Sequence, residues 1–126
     1  MLPVDAQITF LYMQDLQKSA YFYEDVLGLP LAVDQGSCRI YRLVDDKAYV
    51  GLCERAEQKP VAGIIFTIVT QDVDGWYHRI TKHGVTCDGE PRTTEEYGIY
   101  HFFVNDPNGY LIEVQRFLQN PWDTGA

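Results

Sequence analysis

Tyr97-Gly98-Ile99-Tyr100-His101-Phe102-Phe103-Val104-Asn105-Asp106-Pro107-Asn108-Gly109-Tyr110-Leu111-Ile112-Glu113-Val114 reads as two antiparallel strands joined by a tight turn. Asp106-Pro107-Asn108-Gly109 is a strong turn signal. Proline presets one backbone dihedral, and Asn-Gly tolerates positive φ. Apolar runs flank the turn on both sides. The second run carries one carboxylate, Glu113, among Leu111, Ile112 and Val114. A carboxylate in an apolar strand must face water, a partner or a ligand.

Working outward, the chain divides into two halves with one order of elements. Residues 7–13 alternate and are rich in Ile, Thr, Phe and Tyr, which predicts a strand. Asp15 is a candidate helix N-cap. Leu16, Ala20, Tyr23 and Leu27 follow at helical spacing, and Gly28 supplies the stop. A short strand is expected at 31–34, then a hairpin of 37–44 and 47–53 around Asp45-Asp46. After a polar linker at 54–60, residues 62–70 read as a strand. Asp72 is a second N-cap, and Val73, Trp76, Tyr77 and Ile80 fall at near-helical spacing before Gly84. Residues 85–87 are expected to be extended, 90–96 a polar loop, and 98–104 with 110–117 the closing hairpin. Residues 120–126 form a tail whose Trp122 is a candidate for docking on the body. The expectation is a single α+β domain of two βαβββ modules, about 6–54 and 61–117, that form a curved mixed sheet around a cleft.

The chain has 126 residues, 46% hydrophobic and 22% charged, enough for one domain with a core. No apolar run approaches a membrane span, and the first residues lack the basic and apolar regions of a signal peptide, so a cytoplasmic location is expected. Cys38, Cys53 and Cys87 are odd in number without Cys-x-x-Cys spacing, which predicts three reduced thiols. The formal net charge of −8 argues against nucleic acid and anionic membranes as partners and permits cationic ligands.

The repeated βαβββ pattern and several motifs resemble the vicinal oxygen chelate superfamily, which includes glyoxalase I, extradiol dioxygenases, and fosfomycin- and bleomycin-resistance proteins. The first half carries its common pattern over residues 15–29, with Phe22-Tyr23 and Val26-Leu27-Gly28-Leu29 the most specific parts. In the second half, Gly89-Glu90-Pro91-Arg92, Tyr97-Gly98, Phe102 and Asp106-Pro107-Asn108-Gly109 are similar to bleomycin-resistance-like members. The resemblance implies that metal-dependent relatives hold a divalent ion at the place of Glu113 and at opening-strand positions seven residues before the helix-capping Asp. Those positions are Ile8 and Ile65 in this chain, and the closing strand of the first half offers Gly51, Leu52 and Cys53. A catalytic divalent ion needs about three protein ligands. The expectation is therefore no cofactor, with a divalent metal as the alternative.

If Ile8 occupies the former ligand position, Phe10 and Tyr12 share its face by alternation, as Leu111, Glu113 and Gln115 share one face of the last strand. His101 is a pocket donor or acceptor near Glu113, or a strand His satisfied in the fold. Arg92 is a candidate clamp for an anionic group or an exposed loop cation. His78 and His83 read as solvated or capping, and Glu95-Glu96 as an acidic rim. No nucleophile elbow or phosphate-binding glycine loop is present. The expected function is metal-independent binding or sequestration of an aromatic or cationic, antibiotic-like small molecule. Its cleft would be lined by Phe10, Tyr12, Arg92, Tyr97, His101 and Glu113. The alternative is a metal-dependent lyase, isomerase or dioxygenase. The resemblance also implies a homodimer.

Overall fold

Gln7–Met13 forms the first strand, β1, and its side chains sort by alternation: Leu11 and Met13 are buried while Phe10 and Tyr12 are 47% and 42% exposed. In the computed structural model, residues 1–57 and 61–122 are described; part of the expected linker and the end of the tail lie outside them. The chain separates into two compact units, Met1–Pro60 and Val61–Ala126. In the first, β1 is followed by helix α1 (Leu16–Tyr21), a π-helical turn (Phe22–Val26), β2 (Leu31–Asp34), β3 (Cys38–Val44) and β4 (Ala48–Glu54). In the second come β5 (Ile65–Val69), α2 (Val73–Lys82), β6 (Arg92–Thr94), β7 (Ile99–Asn105) and β8 (Leu111–Phe117). Each unit holds a four-stranded mixed sheet, ordered β1-β4-β3-β2 and β5-β8-β7-β6. In both, the opening strand pairs parallel to the closing strand and the other pairs are antiparallel. The fold is thus α+β, built from two βαβββ modules.

Both helices start where the sequence predicts. Asp15 accepts from the Lys18 amide at 3.1 Å, and Asp72 accepts from the Gly75 amide at 2.9 Å, each satisfying an N–H that the helix itself leaves unpaired. Gly28 and Gly84 follow with φ of 74° and 80°, the left-handed conformation that stops a helix. The first helical segment has one residue more than the second between its capping Asp and its Gly. The expected continuous α-helix is corrected at that place. Leu27 N donates to Phe22 O at 2.9 Å, five residues back, and this widened turn absorbs the extra residue. It also keeps Phe22, Tyr23, Val26 and Leu27 all buried.

Each sheet packs one face on its helix. In the first unit the Tyr23 ring stacks on Tyr41 at 6.5 Å, and Val50 and Leu52 are fully buried. The Tyr41 hydroxyl donates to Glu24 at 2.8 Å, and burial, aided by that bond, pushes its pKa up to about 12. In the second unit Phe102 meets Tyr77 edge-on at 5.4 Å, beside Val73, Ile80, Ile112 and Val114. His83 caps α2, its ring nitrogen 2.8 Å from Arg79 O. Trp122 packs edge-on against Phe117 at 5.4 Å, so that part of the tail does dock. Among the described residues no helix is long and apolar enough to cross a membrane.

Two further expectations are corrected. Cys38 and Cys53 face one another across β3 and β4, with Cα atoms 4.1 Å apart, and are disulfide-bonded; Cys87 is the free thiol. The hairpin register aligns two residues that sequence spacing alone does not pair. Burial, reinforced by the Asp88 charge, pushes the Cys87 thiol up to about 11, which makes it a poor nucleophile at neutral pH. Residues 85–87 are not a strand; the edge strand lies at Arg92–Thr94, inside the expected loop. Asp88 explains the shift, because its N–H donates to Phe103 O and its carboxylate accepts from Phe103 N, both at 2.9 Å. The segment is pinned to β7 there, and the Thr-Thr pair beyond it has the β-branching that suits an edge strand.

Candidate functional site

The helix-free face of the second sheet carries the polar chemistry. Directly opposed residues of a sheet share a face. The pairs Phe103–Glu113 and His101–Gln115 of β7 and β8, and Arg92–His101 of β6 and β7, therefore stand on one side. Thr67 of β5 lies in register with Glu113, on that side too. Phe102 and Val114 point the other way, into the helix-packed core.

His101 and Glu113 are 6% and 8% exposed, and His101 Nδ1 lies 2.7 Å from Glu113 Oε2. The other ring nitrogen, Nε2, lies 2.7 Å from Thr94 Oγ1. In the neutral ring one nitrogen donates and the other accepts; with the proton on Nδ1, facing the Glu113 carboxylate, Nε2 accepts from the Thr94 hydroxyl. Both ring nitrogens are satisfied, as burial demands. Phe103 meets the imidazole edge-on at 5.3 Å, and the Arg92 guanidinium sits 5.9 Å from the Phe103 ring centre.

Arg92 is not a free loop cation. It donates from both terminal nitrogens to Asp88, at 2.9 and 2.7 Å. That hydrogen-bonded pairing, with a further bond from Phe103 N, holds the Asp88 carboxyl below its usual range. The Arg92 charge is largely answered within the protein.

The first unit presents an aromatic counterpart. Phe10 and Thr67 each precede the capping Asp by the same five residues, and Phe10 pairs with Gly51 as Thr67 pairs with Glu113. Gly51 thus stands where the second module has its carboxylate, and the Phe10 ring lies over it so closely that a Cβ there would strike the ring. Gly51→Ala is expected to lift that ring and destabilise the fold by about 1–2 kcal/mol in urea denaturation. An unchanged midpoint would mean that Phe10 swings out freely. The Tyr12 ring already receives a cation, with the Arg55 guanidinium 4.5 Å from its centre.

Of the residues singled out in the sequence, Arg92, His101 and Glu113 share one sheet face, and Phe10 and Tyr12 share a face of the other sheet. Tyr97 is set apart: it lies before β7, 68% exposed, and lines a hollow of about 520 Å³ with Gly98 and residues 117–121. Another hollow, of about 500 Å³, is lined by Val61, Ala62, Gly63, Ile64, Ile65, Gly109 and Leu111. Ile65 and Leu111 sit one alternation from Thr67 and Glu113 on the same strands, so this apolar hollow opens on the Glu113 side of the sheet. Thr94 escapes sequence reasoning, because only the β6–β7 pairing brings it to His101.

Ile8 and Ile65 offer only hydrocarbon, and His101 Nδ1 and Glu113 Oε2 are engaged with each other. Among the described residues no three His, Cys, Asp or Glu side chains gather as such a site requires.

Comparisons with known proteins agree with this architecture. A Bacillus subtilis (strain 168) protein, "Uncharacterized protein YraH", is 26% identical over 122 residues, covering 86% of this chain and 94% of its own length. A glyoxalase/bleomycin resistance protein/dioxygenase structure from Nocardioides superposes with a TM-score of 0.77 at 17% identity, covering 99% of this chain and 91% of that one. Lactoylglutathione lyase from Agrobacterium tumefaciens superposes with a TM-score of 0.72 at 23% identity, covering 91% and 95%. The family profile described as Glyoxalase/Bleomycin resistance protein/Dioxygenase superfamily matches residues 6–114. With its paired βαβββ modules and closing Asp-Pro-Asn-Gly hairpin, the chain belongs to the glyoxalase/bleomycin resistance protein/dioxygenase superfamily.

Proposed function

We propose that this chain is a metal-independent small-molecule-binding protein of the bleomycin-resistance-like branch, which sequesters an aromatic, cationic, antibiotic-like compound. The observation that carries the reading is the ionisable Glu113, held by His101 on the helix-free face, two residues along β8 from Leu111, which lines an apolar hollow. Ligand sites are generally apolar hollows of about 300–1,000 Å³ with a few polar groups that orient the ligand. Glu113 supplies charge complementarity and Phe103 supplies stacking area. The net charge of −8 favours a cationic ligand over an anionic one. Phe10 and Tyr12 offer a second aromatic face, and Tyr97 an exposed ring. A cytoplasmic homodimer is part of the same proposal.

The test is calorimetric titration of chelator-treated protein with bleomycin, and with flat aromatic cations beside their neutral isosteres. Binding of the cation is expected, with about tenfold or greater weakening in Glu113→Gln, equivalent to about 1.4 kcal/mol. Equal affinity for cation and neutral isostere would remove Glu113 from the site. A stoichiometric Ni(II), Mn(II) or Zn(II) site abolished by Glu113→Ala would replace this reading with the metalloenzyme one.

A further inference from the structure

Thr94, His101 and Glu113 form a continuous chain of two 2.7 Å contacts: hydroxyl to imidazole Nε2, and imidazole Nδ1 to carboxylate. The order is hydroxyl, base, orienting acid, which is the arrangement that activates a nucleophilic hydroxyl. Burial is graded along it. Glu113 and His101 are buried, whereas Thr94 on the edge strand is half-buried and is the most exposed of the three residues.

We infer that Thr94 is an activated nucleophile, giving the domain a metal-free acyl-transfer activity toward small activated esters. Thr94 Oγ1 attacks the ester carbonyl while its proton passes to His101 Nε2. The tetrahedral adduct collapses, the ester C–O bond breaks, and the leaving alcohol or phenol takes the proton from His101. A water molecule, deprotonated by the same nitrogen, then attacks the acyl-Thr94 ester, releases the acid and returns the proton to Oγ1. Glu113 touches no reacting atom; it is a positioning residue that fixes the imidazole tautomer.

This inference uses the same sheet face as the binding reading but a different chemistry, so either can fail alone. The probe is p-nitrophenyl acetate. The wild-type protein is expected to release p-nitrophenolate in a burst, with an acetyl group found on the Thr94 peptide by mass spectrometry. Thr94→Val should remove that acetyl, and Thr94→Ser should retain it. His101→Gln should slow acylation by about 100-fold or more, because it cannot accept the proton. Circular dichroism melts establish that each variant is folded, and cation titration of Thr94→Val reports the binding site separately. Acetyl found only on lysine or tyrosine, or an equal burst in folded Thr94→Val, would overturn the inference.

Discussion

Replacing Asp106 with Ala is expected to lower the unfolding free energy by about 2–4 kcal/mol in urea denaturation. Asp106 is 4% exposed, and its Oδ1 accepts from the backbone amides of Asn108 and Tyr110, both at 2.9 Å. Its Oδ2 lies 3.3 Å from the Asn108 side-chain nitrogen. Alanine removes every one of these acceptors. The Tyr110 amide is the costliest loss, because Tyr110 is buried and water reaches it poorly. Asp106→Asn keeps an oxygen at Oδ1 and is expected to cost less than about 1 kcal/mol. An Asp106→Ala protein with an unchanged midpoint would show that the strand pairing alone holds the hairpin. The position also matters for the site, since this turn sets the register that places Phe103 beside Glu113.

The second large effect is expected at Glu113. Glu113→Leu leaves the Nδ1–H of a buried imidazole without an acceptor, for a loss of about 2–3 kcal/mol. Glu113→Gln can still accept that hydrogen bond, so its stability is expected to stay within about 1 kcal/mol of wild type. The double variant His101→Leu/Glu113→Leu removes both polar partners at once. It should therefore be more stable than the sum of the two single losses, with a coupling of about 1–2 kcal/mol. Strict additivity would mean that water, not His101, satisfies Glu113. Together with the ligand titration, the Gln and Leu variants separate the charge from the hydrogen bond: Gln tests charge at nearly constant stability.

Much of the architecture is legible in local chemistry. The bounds of β1, the caps Asp15 and Asp72, the left-handed Gly28 and Gly84 and the Asp106–Gly109 turn all follow from residues within a few positions of each other. Alternation also places Phe10 with Tyr12, away from Leu11 and Met13. What escapes is long-range. The three residues of β6 are too few for a periodic signal, and they become a strand because Asp88 and β7 hold them. The Cys38–Cys53 bond follows from the register of β3 against β4. The π-helical turn is visible only as one surplus residue, since nothing in the side chains of 22–26 distinguishes it from an α-helix.

The sequence by itself determined the two-module βαβββ pattern, its helix limits, and the presence of one carboxylate in an apolar closing strand, because capping, turn formation and alternation act over neighbouring residues. Only the tertiary structure decided what that carboxylate touches. Strand pairing brings together Thr94, His101 and Glu113, and lays Phe10 over Gly51. These contacts depend on register between strands distant in the chain, and register is set by the packing of whole sheet faces rather than by any single residue.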